Sequence, residues 1–156
     1  MILLGVYAPE EGKQELSNEF YETLQKAVQR AEPLEDLFIV GDLNAQVGAK
    51  KIGKCAGSFG VGTINTNGKQ LIDFCAFHNL RILNTLFPHK MSHKYTWSSR
   101  DSSSMIDFVI AGEETAKRCT DTRVFRGNIL DLTTTCYRVS PVVIWLQELR
   151  DDRTQS

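Results

Sequence analysis

The chain has no apolar run approaching the roughly 20 residues that a membrane-spanning helix needs, which excludes a helical span. It also has no Cys-x-x-Cys pair. Cys55, Cys75, Cys119 and Cys136 are scattered singly, which argues against a zinc site. The opening residues, Met1 to Pro9, carry no basic segment, and their apolar stretch is too short for a secretory signal. The expectation is reduced thiols in an intracellular protein, nuclear or cytoplasmic and not secreted. Excess charge is missing as well. With a net charge of -1 and a pI of 6.3 there is no global basic field to gather nucleic acid, so phosphate binding must rely on a local patch or a metal. There is no internal repeat and no low-complexity tract. The 156 residues suffice for one domain with a core and are too few for two comfortable ones.

What is present is an alternation of strand and helix signals in the first half. Leu3 to Tyr7 reads as a strand closed by Ala8-Pro9. From Lys13 to Arg30, the residues Leu16, Phe20, Leu24, Ala27 and Val28 recur at helical spacing, with Glu10 and Glu11 where the helix dipole favours them. Pro33 closes that helix, and Leu37 to Val40 is a short apolar strand. A loop rich in glycine follows, holding Lys50, Lys51 and Lys54. It lacks the GxxxxGK[ST] order of a phosphate-cradling loop, so its lysines read as a solvated face. Asn67 is the expected N-cap of a second helix, Lys69 to His78, with Leu71, Phe74 and Cys75 inward. Asn79 suits a left-handed cap, and Leu80 to Thr85 reads as the next strand. Beyond it the runs are β-like: Tyr95 to Ser98, Met105 to Ile110, Thr122 to Phe125 and Tyr137 to Leu149, with a helical turn at Glu113 to Lys117. Residues 1–149 form the domain and Arg150 to Ser156 a polar tail.

Gly41-Asp42-Leu43-Asn44 ends the second strand. A carboxylate and an amide two residues apart at a strand end point to the same side and can serve a hard cation, a water or a phosphate. Gly, Asp and Asn also favour turns for local reasons, and on these residues alone the turn reading has the edge. Three further features bear on the choice. Tyr7 ends the first strand, Trp97 lies in His93-Lys94-Tyr95-Thr96-Trp97, and Asp107 sits among aliphatic residues in a strand, where a carboxylate needs a partner.

The ordered set Val6-Tyr7-Ala8-Pro9, Gly41 to Gly48, His93 to Trp97 and Ile106-Asp107-Phe108-Val109-Ile110 resembles the endonuclease/exonuclease/phosphatase superfamily. It is most similar to LINE-type retrotransposon endonucleases and related host proteins such as the craniofacial development protein 2 group. The resemblance covers roughly residues 3 to 147. It implies a four-layer α/β/β/α sandwich, of which this chain is the C-terminal half: one mixed, mostly antiparallel sheet with two main helices. It also implies a phosphodiesterase that uses Mg²⁺ or Mn²⁺ and acts on DNA. Carried over by position, Tyr7 orients the scissile phosphate, and Asp42 positions or deprotonates the attacking water and contacts the metal. Asn44 hydrogen-bonds a phosphate oxygen, Asp107 holds a catalytic histidine, and Trp97 lines the nucleotide-binding face.

Two departures accompany the match. Where the family closes its last strand with Ser-Asp-His, this chain has Thr134-Thr135-Cys136, so Thr135 and Cys136 are degenerate positions. The family's upstream metal-binding Asn and Glu precede the first matching strand, so the chain reads as a partial domain with weakened or absent metal binding. A lone sheet of this kind is expected to expose an apolar inner face, through which it docks on a partner or self-associates. Two functional readings follow: a metal-dependent DNA endonuclease, impaired, or a non-catalytic descendant that binds protein or nucleic acid.

Overall fold

Two parallel strands need a long crossover, and the first forty residues supply it. Strand β1 (Ile2–Tyr7) and strand β2 (Leu37–Asp42) pair in parallel, joined through helix α1 (Gln14–Arg30). The computed structural model describes residues 1–31 and 36–124 with their side chains, and the backbone of Phe125 and of two later strands. Pro33, the expected helix stop, lies outside the described residues; α1 ends at Arg30 with Ala31 extended.

Helix α2 (Thr66–Phe77) leads into strand β3 (Leu80–Ile82), which passes into a 3₁₀ turn at Leu83–Thr85. A second such turn, Met91–His93, precedes a hairpin of two-residue strands, β4 (Trp97–Ser98) and β5 (Ser103–Ser104). Strand β6 (Asp107–Gly112), helix α3 (Glu113–Arg118) and strand β7 (Thr122–Phe125) follow. Strand β8 (Thr134–Val139) pairs antiparallel with β7 and with β9 (Val142–Gln147) in a second sheet, ordered β7-β8-β9. The main sheet runs β1-β2-β6-β3, with β6 antiparallel to both its neighbours. The fold is therefore α/β with a mixed sheet. Asn79 takes the left-handed conformation between α2 and β3 with φ +53°.

Strands β2 and β6 are apolar on both faces because both faces are covered. On one face, Ile39, Phe108, Ile110 and Ile82 pack with Leu24 of α1 and with Leu71, Phe74 and Cys75 of α2. Full burial of each such side chain contributes about 1.5–3 kcal/mol. The expected face of α1 is largely the one that packs, since Leu24 is buried and Phe20 and Val28 lie partly buried against the core, but Leu16 is exposed and Ser17 and Tyr21 are buried. Ser17 tolerates burial because its hydroxyl donates to Gln70 Oε1 at 2.6 Å.

The other face corrects the expectation of an open apolar surface. Phe38, Val40, Val109 and Ala111 are buried there with Leu83, Ala116 of α3 and Val124 of β7. Exposure on that face belongs to the edge strand β1, where Leu3 is 52% and Tyr7 71% exposed. Among the described residues, no helix is long and apolar enough to cross a membrane.

Glu11 does not serve its own helix. Its carboxylate accepts the Thr66 N–H at 2.8 Å and Asn65 Nδ2 at 2.9 Å, so it caps α2 from across the chain. The Thr66 amide holds this carboxyl below its ordinary value of 4.5. A carboxyl depressed in the folded state adds stability above its unfolded pKa and loses it as pH falls through the folded one. Glu11→Gln is thus expected to melt lower than the unaltered chain at neutral pH, and the gap should close in acid below the glutamate range. Paired thermal melts check this; a gap that persists unchanged in acid contradicts it.

Candidate active site

The site is assembled at the end of β2. Gly41 has φ +153°, and a Cβ there would lie 1.8 Å from the Val6 carbonyl oxygen, so only glycine lets β1 close against β2 at this point. The next residue is Asp42. Its carbonyl accepts the Ala8 N–H at 2.8 Å, and on the other side the Leu43 N–H donates to the Ile106 carbonyl at 2.9 Å. The strand end is fixed from both neighbours.

Register then lines up the chemistry. Tyr7 is the parallel partner of Asp42, and Asp42 is the antiparallel partner of Asp107. Residues paired directly across adjacent strands share a face, so Tyr7, Asp42 and Asp107 form one row across β1, β2 and β6. Since the Leu43 N–H donates to the Ile106 carbonyl, Asp42 and Asp107 occupy the closer, non-hydrogen-bonded type of pair. The row grades from an exposed phenol through a half-buried carboxylate to Asp107, which is 5% exposed.

Asn44 takes a left-handed conformation, φ +46°, and its N–H donates to Asp42 Oδ1 at 2.8 Å. The turn reading holds for Asp42: its carboxylate forms an Asx turn at the strand end, and by register the same residue lies in the row. The Asn44 side chain reaches β1, where Nδ2 donates to the Ala8 carbonyl at 2.8 Å. One amide N–H and the amide oxygen remain for other work.

A residue with little sequence signal ties these ends together. Asn67 was expected as the N-cap of α2, but Asn65 holds that position, accepting the N–H groups of Gly68 (2.8 Å) and Gln46 (2.9 Å). Asn67 is buried in the first turn, as the second residue of α2, and its Nδ2 donates to the carbonyls of both Pro9 and Asn44 at 3.0 Å. It joins the exit of β1 to the exit of β2. Its only sequence signal is a polar side chain in the buried first turn of a helix.

Trp97 projects from the β4–β5 hairpin, 44% exposed. That hairpin is anchored to the carboxylate strand by Thr96, whose Oγ1 accepts the N–H groups of Ile106 (3.0 Å) and Asp107 (3.2 Å). The histidines have other engagements. His89 Nε2 lies 2.6 Å from Asp121 Oδ1, His93 Nδ1 lies 3.2 Å from the Val124 carbonyl, and His78 packs on the Phe74 and Phe77 rings. Thr135 and Cys136 belong to β8, with Cys136 opposite Phe125 and Trp145, but their side chains lie outside the described residues.

The donor set bears on a metal. Among the described residues, no group of three or more His, Cys, Asp or Glu side chains gathers as a binding cage. Mg²⁺ commonly uses one or two carboxylates and completes its shell with water and substrate phosphate, and the adjacent Asp42 and Asp107 suit that mode.

Comparison with known proteins places this geometry. Residues 1–127 match the family described as endonuclease-reverse transcriptase. Over 116 residues the chain is 40% identical to craniofacial development protein 2 of Tragulus javanicus, covering 70% of this chain and 20% of that protein. The Bos taurus protein of the same name is likewise 40% identical over 116 residues, with 19% of its length covered. The chain thus spans about a fifth of the curated relatives it matches. Among solved structures, it is similar to the endonuclease domain of TRAS1, a telomere-specific non-LTR retrotransposon. The TM-score is 0.52 at 19% identity, covering 76% of this chain and 48% of that one, a likeness of fold. The fold, the order of the motifs and these matches agree: the chain belongs to the endonuclease-reverse transcriptase family of the endonuclease/exonuclease/phosphatase superfamily.

Proposed function

We propose that residues 1–149 form a Mg²⁺- or Mn²⁺-dependent phosphodiesterase domain of the DNA endonuclease type, impaired in cleavage as this chain, with residues 150–156 a tail. The observation that carries the reading is the row Tyr7–Asp42–Asp107 on adjacent strands, with Asn44 hydrogen-bonded to Asp42. In-line attack of water on phosphorus needs a carboxylate to orient and deprotonate the water, donors to the phosphate oxygens, and neutralisation of charge. Asp42 takes the first task. Tyr7, exposed on the edge strand, and the second amide N–H of Asn44 take the second. Trp97 offers an aromatic face to a nucleotide, and Asp107 is the carboxylate that orients an imidazole in the family arrangement. Asp42, the cross-strand partner of Asp107, would hold a divalent cation, which would supply the charge neutralisation when bound.

The impairment rests on Thr135 and Cys136. They stand where the family arrangement has Asp and His, and neither a hydroxyl nor a neutral thiol replaces an imidazolium beside a phosphate. Loss of such a group costs orders of magnitude in rate.

Manganese binding tests the site independently of turnover. Mn²⁺ paramagnetic resonance is expected to show weak, saturable binding by the full chain that is lost in Asp42→Asn. Equal binding by both proteins removes Asp42 from the metal site.

A further inference from the structure

Two loops meet near the start of β6, where Thr96 accepts the N–H groups of Ile106 and Asp107. One presents Phe59, 37% exposed. It is seated directly on backbone: the Phe59 N–H donates to the Thr85 carbonyl at 3.0 Å, and the Gly57 N–H to Thr85 Oγ1 at 2.8 Å. A Cβ at Gly57 would lie 2.2 Å from the Thr85 carbonyl oxygen, and one at Gly60 would lie 1.9 Å from that of Gly48, so no larger residue permits this approach. The second loop carries Lys94, three residues before Trp97, and is pinned by Thr96 to the amides of Ile106 and Asp107 and by His93 to Val124. The Lys94 ammonium stands over the Phe59 ring, 5.8 Å from its centroid.

Among the described residues no carboxylate pairs with Lys94, whereas Lys54 meets Glu113 and Lys117 meets Glu114. Although the chain as a whole is -1, the stretch from Leu43 to Arg100 holds eight Lys and Arg residues and one acidic residue, Asp73; of the eight, Lys54 and Arg81 pair with Glu113. Both loops come from that stretch. Local excess of one sign attracts an oppositely charged polymer even where the net charge does not. A cation held against an aromatic face is fixed in place while its remaining N–H donors stay available. Partial burial disfavours the Lys94 charge, and an anion beside it restores the balance.

We propose that Lys94, held over Phe59, contacts a backbone phosphate of a DNA strand lying across the carboxylate row, with Phe59 as the positioning residue. The inference rests on the reading of the chain as a DNA endonuclease domain, and it adds a contact outside the row. It places Lys94 in affinity and not in chemistry, so binding and not cleavage is the readout.

Fluorescence anisotropy of a labelled duplex with the full chain in EDTA, at several salt concentrations, tests it. Lys94→Gln is expected to weaken binding several-fold and to reduce the slope of log K against log salt by about 0.9, the share of one phosphate contact. Phe59→Leu should weaken binding in the same direction, Lys94→Arg should keep most of it, and Lys117→Gln should match the unaltered chain. Thermal melts of each variant establish folding, and Lys94→Gln, a change at a half-buried loop position, decides the case if Phe59→Leu is unstable. Unchanged affinity and slope in Lys94→Gln overturn this contact while leaving DNA binding intact. Absence of salt-dependent binding by the unaltered chain overturns both the contact and the DNA reading.

Discussion

Gly41→Ala is expected to abolish cooperative folding. The added Cβ would lie 1.8 Å from the Val6 oxygen and 2.8 Å from the Val6 carbonyl carbon, both backbone atoms of the paired strand. The conformation, φ +153°, is also one that side chains rarely adopt. No rotamer change relieves a clash with backbone. β1 must therefore leave β2, taking with it the Tyr7–Asp42 register and the crossover that seats α1. The cost should exceed about 4 kcal/mol, in the range where a single mechanism dominates a domain's stability. Gly5→Ala on the same strand is the control, because its Cβ meets nothing within 4 Å. Circular dichroism melts compare the two, and a Gly41→Ala chain that melts like Gly5→Ala contradicts the account.

Asn67→Ala should show the next largest effect. The buried amide donates to two carbonyls, Pro9 and Asn44, and its removal leaves both without that partner beside a small void. Buried groups stripped of a partner cost about 1–3 kcal/mol each, reduced here because a carbonyl has a second lone pair. A loss of about 2–3 kcal/mol is expected, lowering the melting temperature by roughly 5–10 °C. Asn67→Asp is informative alongside it, since a carboxylate facing two carbonyls accepts where a donor is needed. A change below 0.5 kcal/mol, the order of ordinary surface substitutions, would show that Asn67 does not join the two strand ends.

Much of this was legible in the sequence where the pattern is local. The strand into Asp42, the helix ending at Arg30, the left-handed Asn79 and the turn of helix after Gly112 follow from periodicity and cap chemistry. The errors arose where a distant residue decides. Asn65 and Asn67 both precede the same apolar run, and only Gln46 and Glu11, far away in sequence, select Asn65 as the cap. Ser17 displaces Leu16 from the core because Gln70 receives its hydroxyl. The strand expected over Leu80 to Thr85 stops at Ile82, since Asn84 turns its amide oxygen to the Val109 N–H and Thr85 bonds its hydroxyl to the Ile82 carbonyl. The pairing of Asp42 with Asp107 depends on antiparallel register across 65 residues of chain, which composition and spacing do not carry; the family resemblance alone brought them to one site.

Plasmid nicking in Mg²⁺ or Mn²⁺ at neutral pH decides whether this chain is impaired in cleavage. On the proposed reading, Thr135 and Cys136 stand where the family arrangement has Asp and His, beside the row of Tyr7, Asp42 and Asp107. Loss of the imidazole removes several kcal/mol of transition-state stabilisation, on the order of a hundred-fold to a thousand-fold in rate. The unaltered chain is expected to nick no faster than its Asp42→Ala variant. Metal-dependent nicking by the unaltered chain that disappears in Asp42→Ala would contradict the impairment and show that another residue does the work of the missing histidine.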